Sequence, residues 1–229
     1  MAALLMELGR QFRSRWFWIS AVLTVCALWA GLGTESWWLL HGAEREAFGL
    51  LESALTGSAN SLALPLLSAL PCAAAARREI NSGAVRHILF RCGLRAYLCS
   101  RTAVLLLVSV SAQAAGTAAF ILLINVLAVT PAFPVHLFCA RMLCTAVFAL
   151  LGSFGVLVTK DTTCAYAIPA AICFALSMLR SRFMAEAAFL DPLCWLTGNA
   201  ALLPGLCGLL FVLTVVYISF LCREVKRNV

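Results

Sequence analysis

Charged residues are scarce in this chain of 229 residues. Asp, Glu, Lys and Arg make up 12% of the sequence, whereas they make up about a quarter of a typical soluble domain. Hydrophobic residues account for 63%, and the mean hydropathy is +0.96. This composition excludes an ordinary soluble globular protein. It predicts an all-α fold of the polytopic membrane class.

Long stretches contain no charged residue at all, and each can hold a membrane span, because about 20 apolar residues cross the hydrocarbon core. The stretches are 16–34, 53–76, 102–140, 142–159, 162–179 and 192–222. Pro131 and Pro134 break the third stretch, so we place one span before them and the next from about Arg141 to Thr159. The sequence thus predicts six spans in a single transmembrane domain, 1–229.

Motifs for catalysis and metal binding are missing. The eleven cysteines form no CxxC pair and no Cys/His cluster with the spacing of a metal site. The chain has no HExxH sequence, no GxSxG sequence with a partnered His, and no paired carboxylates within the spans. We therefore expect no catalytic residue, no metal and no cofactor on this chain, and no nucleic-acid partner.

The interiors of the spans also lack ionisable residues, which disfavours a pump driven by protons or sodium ions. Gln113 and Asn125 are two amides well inside a predicted span. They are weak candidates for substrate binding, and the competing interpretation is that they hold helices together by hydrogen bonds.

What the sequence does have is one strongly basic segment, 77–101, between the second and third predicted spans. Its apolar residues recur at roughly helical spacing, and Gly83 stands where a helix can start or bend. The segment is either a topology anchor in the lipid headgroups or a helix that docks on a soluble partner. The candidate partner-binding residues are Arg78, Glu79, Gly83, Arg86, His87, Ile88, Leu89, Arg91 and Arg95.

Two flanking segments are too polar or too irregular to span. Residues 1–15 form an amphipathic pattern that predicts an interfacial helix, and a cleaved signal peptide is the alternative. Residues 181–200 are semi-apolar around Asp191 and Pro192. They predict either a re-entrant outer segment of one or two short helices or an amphipathic outer loop.

The distribution of Lys and Arg predicts the topology. The N-terminus, 77–101, Lys160 and the C-terminus hold thirteen of the 17 basic residues; the other four are Arg45, Arg141, Arg180 and Arg182. By the positive-inside rule, both termini and the basic segment lie in the cytoplasm, and the chain is a multi-pass protein of the cytoplasmic membrane.

This layout resembles the ABC-2 type permease family, the membrane subunits of a class of ATP-binding cassette transporters. The family has an interfacial N-terminal helix, six spans, a cytoplasmic coupling helix after span two, and a re-entrant segment between spans five and six. Residues at the positions of the family's local motif are Glu79, Gly83, Ile88, Leu89, Arg95 and Arg101. Two positions depart from it: Ala84 replaces a Thr, and Cys92-Gly93 replaces a Pro.

The resemblance implies that the coupling helix, 77–101, docks on a separate ATPase subunit. Its arginines would meet acidic residues there, and Ile88 and Leu89 would fill an apolar pocket. Because the chain has no GxxxxGK[ST] sequence, ATP and Mg²⁺ belong to that partner. The expected assembly is a homodimer, or a heterodimer with a similar permease, that exports an amphiphilic, drug-like or peptide-like substrate. The alternative is a non-transporting interaction or assembly protein that uses the basic helix to bind membrane lipid or a soluble partner.

Overall fold

The computed structural model describes residues 2–40, 46–71, 73–128, 130–183, 189, 191–197, 199 and 201–228. These residues form twelve helices and no strand. The helices are α1 (Ala2–Phe12), α2 (Arg15–Gly31), α3 (Glu35–Leu40), α4 (Ala47–Thr56), α5 (Ser58–Ala69), α6 (Ala75–Asn81), α7 (Ala84–Cys92), α8 (Leu94–Leu127), α9 (Val135–Thr159), α10 (Cys164–Phe183), α11 (Pro192–Leu196) and α12 (Leu203–Asn228). The prediction of an all-α chain is confirmed.

Four helices are long and apolar enough to cross a membrane, namely α8, α9, α10 and α12. The longest, α8, has 34 residues, which corresponds to a length of about 51 Å. Because the hydrocarbon core is about 30 Å thick, α8 is longer than a span requires. Its first two turns carry Arg95 and Arg101, so these turns belong to the polar end of the helix.

The first two predicted spans correspond to shorter helices. α2 has 17 residues, which is near the lower limit for crossing a bilayer. The second stretch is divided between α4 and α5 at Gly57, whose backbone is extended. α2 passes so close that a Cβ at Gly57 would lie 2.9 Å from the carbonyl oxygen of Gly31. The apolar stretch 53–76 therefore indicates that this part of the chain is buried, but it does not form one continuous helix.

Two apolar clusters lie toward opposite ends of the helix bundle. The first includes Phe17, Ile80, Tyr97, Leu157 and Val225. The second includes Leu28, Leu51, Ile124 and Leu137. It follows that α8 and α9 run in opposite directions. The N-terminal segment, 77–101, the end of α9 and the C-terminal segment meet at one end of the bundle, which we call the basic end.

The N-terminal helix α1 lies at the basic end. The ring of Phe12 packs edge-on against Phe17 of α2, with 5.1 Å between the ring centroids. Ser14 then caps α2 by accepting a hydrogen bond from the backbone N–H of Trp16. Within the segment 1–15, which the sequence predicts to be interfacial, residues 2–12 form a helix separate from the first apolar helix.

The segment 181–200 is described in part. α10 continues to Phe183, residues 184–188, 190, 198 and 200 lie outside the described residues, and α11 is a short helix. Trp195 and Leu196 of α11 are buried in a cluster with Phe148 of α9. The described part of this segment thus contains one short helix packed on the bundle.

Candidate functional site

The basic segment 77–101 folds into three pieces. α6 and α7 are separated at Gly83, whose φ of +71° is a conformation that glycine adopts more readily than other residues. The prediction that a helix starts or bends at Gly83 is confirmed. A second glycine with positive φ, Gly93, separates α7 from α8. The nine residues of α7 are thereby set off as a short helix between two glycines.

One side of α7 faces the protein's own core. Val85 is buried, and Ile88 and Leu89 are partly buried against the apolar cluster of the basic end. The resemblance gives Ile88 and Leu89 a pocket on a partner, but in this structure they pack within the chain. They hold α7 in place.

The other side of α7 is exposed. Phe90 is 90% exposed, and Arg86, His87, Arg91 and Arg95 are exposed around it. We call these five residues the α7 face. An exposed aromatic ring among arginines is typical of a surface that binds another protein. Sequence reasoning missed Phe90, and the signal was a large apolar residue out of phase with Val85, Ile88 and Leu89.

A network of charged side chains attaches the segment to the bundle. The carboxylate of Glu79 lies 3.2 Å from Arg101 Nη1 and 3.5 Å from Arg10 Nη2, and it accepts a hydrogen bond of 3.1 Å from Tyr97 Oη. Arg101 Nη1 also lies 3.1 Å from Glu7 Oε1. Glu79 thus pairs both with Arg101, at the end of its own segment, and with the N-terminal helix. The network joins α1, α6 and α8.

Glu7 is the acidic residue that α1 contributes to this network. Burial raises the pKa of Glu7, but hydrogen bonds from Gln11 and Arg10 and the charges of Arg101 and Arg10 outweigh that effect. The pKa therefore lies below its ordinary value of 4.5. Glu7 is ionised at neutral pH and holds α1 against α8.

A second link joins α6 to the last helix. Arg77 Nη1 lies 3.5 Å from the Glu224 carboxylate of α12, and both side chains are mostly buried. The segment that carries the α7 face is thus attached to α1 and α8 through Glu79 and to α12 through Arg77.

A separate polar cluster lies inside the bundle, around Arg141. This residue is in the second turn of α9 and is 1% exposed. Its Nη1 donates to Asn60 Oδ1 at 2.6 Å, and its Nη2 donates to Gln113 Oε1 at 3.3 Å. Within the described ranges no acidic side chain pairs with Arg141 and its Nε has no partner. Because α9 is one of the candidate spans and begins at Val135, Arg141 lies inside that helix, near one end, and not at its boundary, where the count of charges placed it.

Gln113 is the centre of this cluster. It accepts a hydrogen bond from Thr24 Oγ1 at 3.1 Å, and its Nε2 donates to Ser20 Oγ at 3.3 Å. The Ser20 hydroxyl donates in turn to the carbonyl of Leu67. Gln113 therefore connects four helices (α2, α5, α8 and α9), and this favours its interpretation as a residue that holds helices together.

Asn125, the other candidate amide, lies elsewhere. Its Nδ2 donates to the carbonyl of Ala132 at 3.1 Å, and its Oδ1 accepts from the N–H of Ala132 at 3.0 Å. Asn125 thus fixes the connection between α8 and α9, and the structure does not bring it to Gln113. For the part of the chain with described positions, no three His, Cys, Asp or Glu side chains come together in a way that could hold a metal ion.

Comparison with known proteins finds no relative for this fold. The chain matches no protein-family model, no curated protein and no solved structure. The functional interpretation therefore depends on the residues themselves and on their geometry.

Proposed function

We propose that this chain is the membrane subunit of an ATP-binding cassette exporter of the ABC-2 type. It moves an amphiphilic, drug-like or peptide-like substrate across the cytoplasmic membrane, and a separate ATPase subunit binds ATP and Mg²⁺. Two copies, or one copy and a similar permease, form the substrate path between them.

The α7 face is the observation that carries this proposal. Phe90 exposes an apolar ring that no packing requirement of the fold explains, and the arginines around it suit an acidic partner surface. An aromatic anchor with a charged rim is the usual composition of a protein-binding hot spot. In this proposal Phe90, and not Ile88 or Leu89, enters the apolar pocket of the ATPase.

The attachment of the α7 face supports a mechanical role. Movement of the partner displaces α7, and the ion pairs of Glu79 and Arg77 transmit that displacement to α1, α8 and α12. Such coupling needs packed, hydrogen-bonded elements between the two sites, and this end of the bundle consists of them.

The proposal includes six spans, with both termini in the cytoplasm. Four of the spans are the longer helices, the fifth is α2, and the sixth is the pair α4–α5. A broken pair of helices is compatible with a membrane when neighbouring helices cover the irregular backbone, and α2 lies directly against Gly57.

The test is co-purification of the tagged chain from mild detergent in its native host. We expect an ATP-binding cassette ATPase in stoichiometric amount. The double variant Phe90→Ala with Arg91→Glu should lose at least about 90% of the co-purified ATPase. An aromatic hot-spot residue and a charged residue beside it each contribute about 2 kcal/mol to the free energy of binding.

The matched control is Phe183→Ala with Arg182→Glu, which changes the same residue types at an exposed site at the end of α10. This variant should retain the ATPase. Recovery of the chain alone in several detergents would favour the non-transporting interaction protein. Equal losses in both variants would show that the α7 face has no special role.

A further inference from the structure

A cavity of about 460 Å³ lies between α1 and α6 at the basic end. Arg10, Ser14, Arg78 and Ser82 are among the residues that line it, and the Ser82 hydroxyl already donates to the backbone carbonyl of Glu79. The α7 face and the Arg141 cluster do not contribute to it. The proposed export mechanism uses the ion pair between Arg10 and Glu79 at the wall of this cavity, but it assigns no ligand to the cavity itself.

The charges around the cavity do not balance. Glu7 and Glu79 are matched by Arg10 and Arg101, with which they form ion pairs. Arg78 lines the same cavity, and none of the ion pairs formed among the described residues includes it. The cavity thus carries one positive charge in excess, which an anionic ligand would neutralise.

The donors suit a phosphate group. A guanidinium offers a planar pair of N–H groups to two phosphate oxygens. Ser14 Oγ already accepts a hydrogen bond from the backbone of Trp16, so its own hydrogen is free to donate. A ligand with several oxygen acceptors and at least one negative charge fits this set.

The position of the cavity indicates where such a ligand comes from. Trp16 lines the cavity, is 45% exposed and stands at the start of α2, where aromatic residues mark the level of the lipid headgroups. Pro71, just after α5, lines it as well. The cavity therefore opens at the boundary between the apolar helices and the polar basic end.

We propose that this cavity binds the phosphate group of an anionic phospholipid from the surrounding leaflet. The lipid phosphate bridges Arg10 of α1 and Arg78 of α6 and stabilises their contact. The resemblance assigned Arg78 to the ATPase contact; here its ligand is lipid. The proposal requires only that the bundle lies in a membrane, so it is independent of the proposed export function.

The experiment is a titration of the purified full-length chain, in a neutral detergent, with phosphatidylglycerol, read by native mass spectrometry. Arg78→Gln should weaken binding about tenfold, the effect of one lost charge-assisted hydrogen bond. The matched control Arg91→Gln removes an arginine of α7 that is exposed, as Arg78 is, but does not line the cavity, so it should change binding less than about twofold.

A second variant tests the cavity without changing charge. Ala84 lines the cavity, so Ala84→Trp should fill it and reduce phosphatidylglycerol binding as strongly as Arg78→Gln. Unchanged melting temperatures would show that both variants are folded. Equal affinities of Arg78→Gln, Ala84→Trp and the unaltered chain would overturn the proposal, as would equal losses in Arg78→Gln and Arg91→Gln.

A competition experiment distinguishes a lipid phosphate from the phosphate of a soluble compound. Inorganic phosphate and glycerol phosphate carry the same group without acyl chains, and neither should displace phosphatidylglycerol at the same concentration. Displacement by either one would assign the cavity to a soluble phosphate compound and would overturn the lipid proposal.

Discussion

Arg141 is the residue whose role was hardest to foresee. In the sequence it ends an apolar stretch, so a count of charges treats it as a boundary. In the structure α9 begins six positions earlier, after Pro134, and carries Arg141 into the bundle. Its hydrogen-bond partners come from α5 and α8, far away in the sequence. No periodicity within α9 could have indicated them.

The effect of substituting Arg141 on stability depends on whether its hydrogen-bond partner Asn60 is present. Arg141→Met leaves Asn60 Oδ1 buried without a donor, which costs about 1 to 3 kcal/mol. Asn60 Nδ2 also donates to the carbonyl of Leu55 at 2.6 Å, and Asn60→Leu removes that bond in either background. In the Arg141→Met background it also removes the orphaned Oδ1, so we expect Asn60→Leu to cost less stability there than in the unaltered chain. In the unaltered chain, Asn60→Leu should destabilise, because it removes a partner from the buried guanidinium.

Thermal unfolding of the four chains in mild detergent measures this difference in the cost of Asn60→Leu. A control at Asn125, which fixes a turn at some distance from Arg141, should show additive effects: Asn125→Leu lowers stability equally with and without Arg141→Met. If Asn60→Leu destabilises both backgrounds to the same extent, the hydrogen bond between Asn60 and Arg141 does not contribute as inferred.

At the scale of elements, the basic segment shows how far its sequence could be interpreted. Gly83 indicated where the helix would break. Which side of α7 faces the core was harder to predict. A nine-residue helix has only about two and a half turns, so its direction depends on what it packs against. The neighbouring core takes Ile88 and Leu89 and leaves Phe90 exposed.

The attachment of α1 should depend on pH through Glu7. Because its pKa is lowered by folding, Glu7 stabilises the attachment at every pH above its ordinary value of 4.5. The contribution is lost as the pH falls through the lowered pKa, where the carboxyl is protonated in both states. At pH 7 Glu7→Gln should weaken the attachment by about 1 to 2 kcal/mol, typical of hydrogen bonds to a charged group.

Hydrogen exchange of the α1 amides, followed by mass spectrometry, measures this effect locally. Protection in the unaltered chain should fall toward that of Glu7→Gln as the solution is acidified. Glu52→Gln is the control, since Glu52 lies on α4 and is exposed. A constant difference between Glu7→Gln and the unaltered chain at all pH values would contradict the role assigned to Glu7.

At the scale of the whole molecule, composition predicted the class of fold better than the number of spans. Apolar stretches reflect burial, and burial in protein or in lipid selects the same residues. The interruption at Gly57 depends on how closely α2 approaches, which is a property of the assembled bundle. The meeting of the basic segments at one end was foreseeable, because each crossing of the bundle reverses the chain direction.

The orientation of the bundle can be tested across a single helix. Cys92 on α7 and Thr130 after α8 are both exposed, and only α8 separates them. The positive-inside rule places Cys92 in the cytoplasm and therefore Thr130 outside. Each chain to be tested keeps the buried Cys144 and Cys173 and a single exposed reporter, either Cys92 or Thr130→Cys. We expect an impermeant maleimide to label Thr130→Cys on intact cells. It should label Cys92 only after permeabilisation. The reverse pattern would invert the topology, and labelling of both sites from one side would mean that α8 does not cross the membrane.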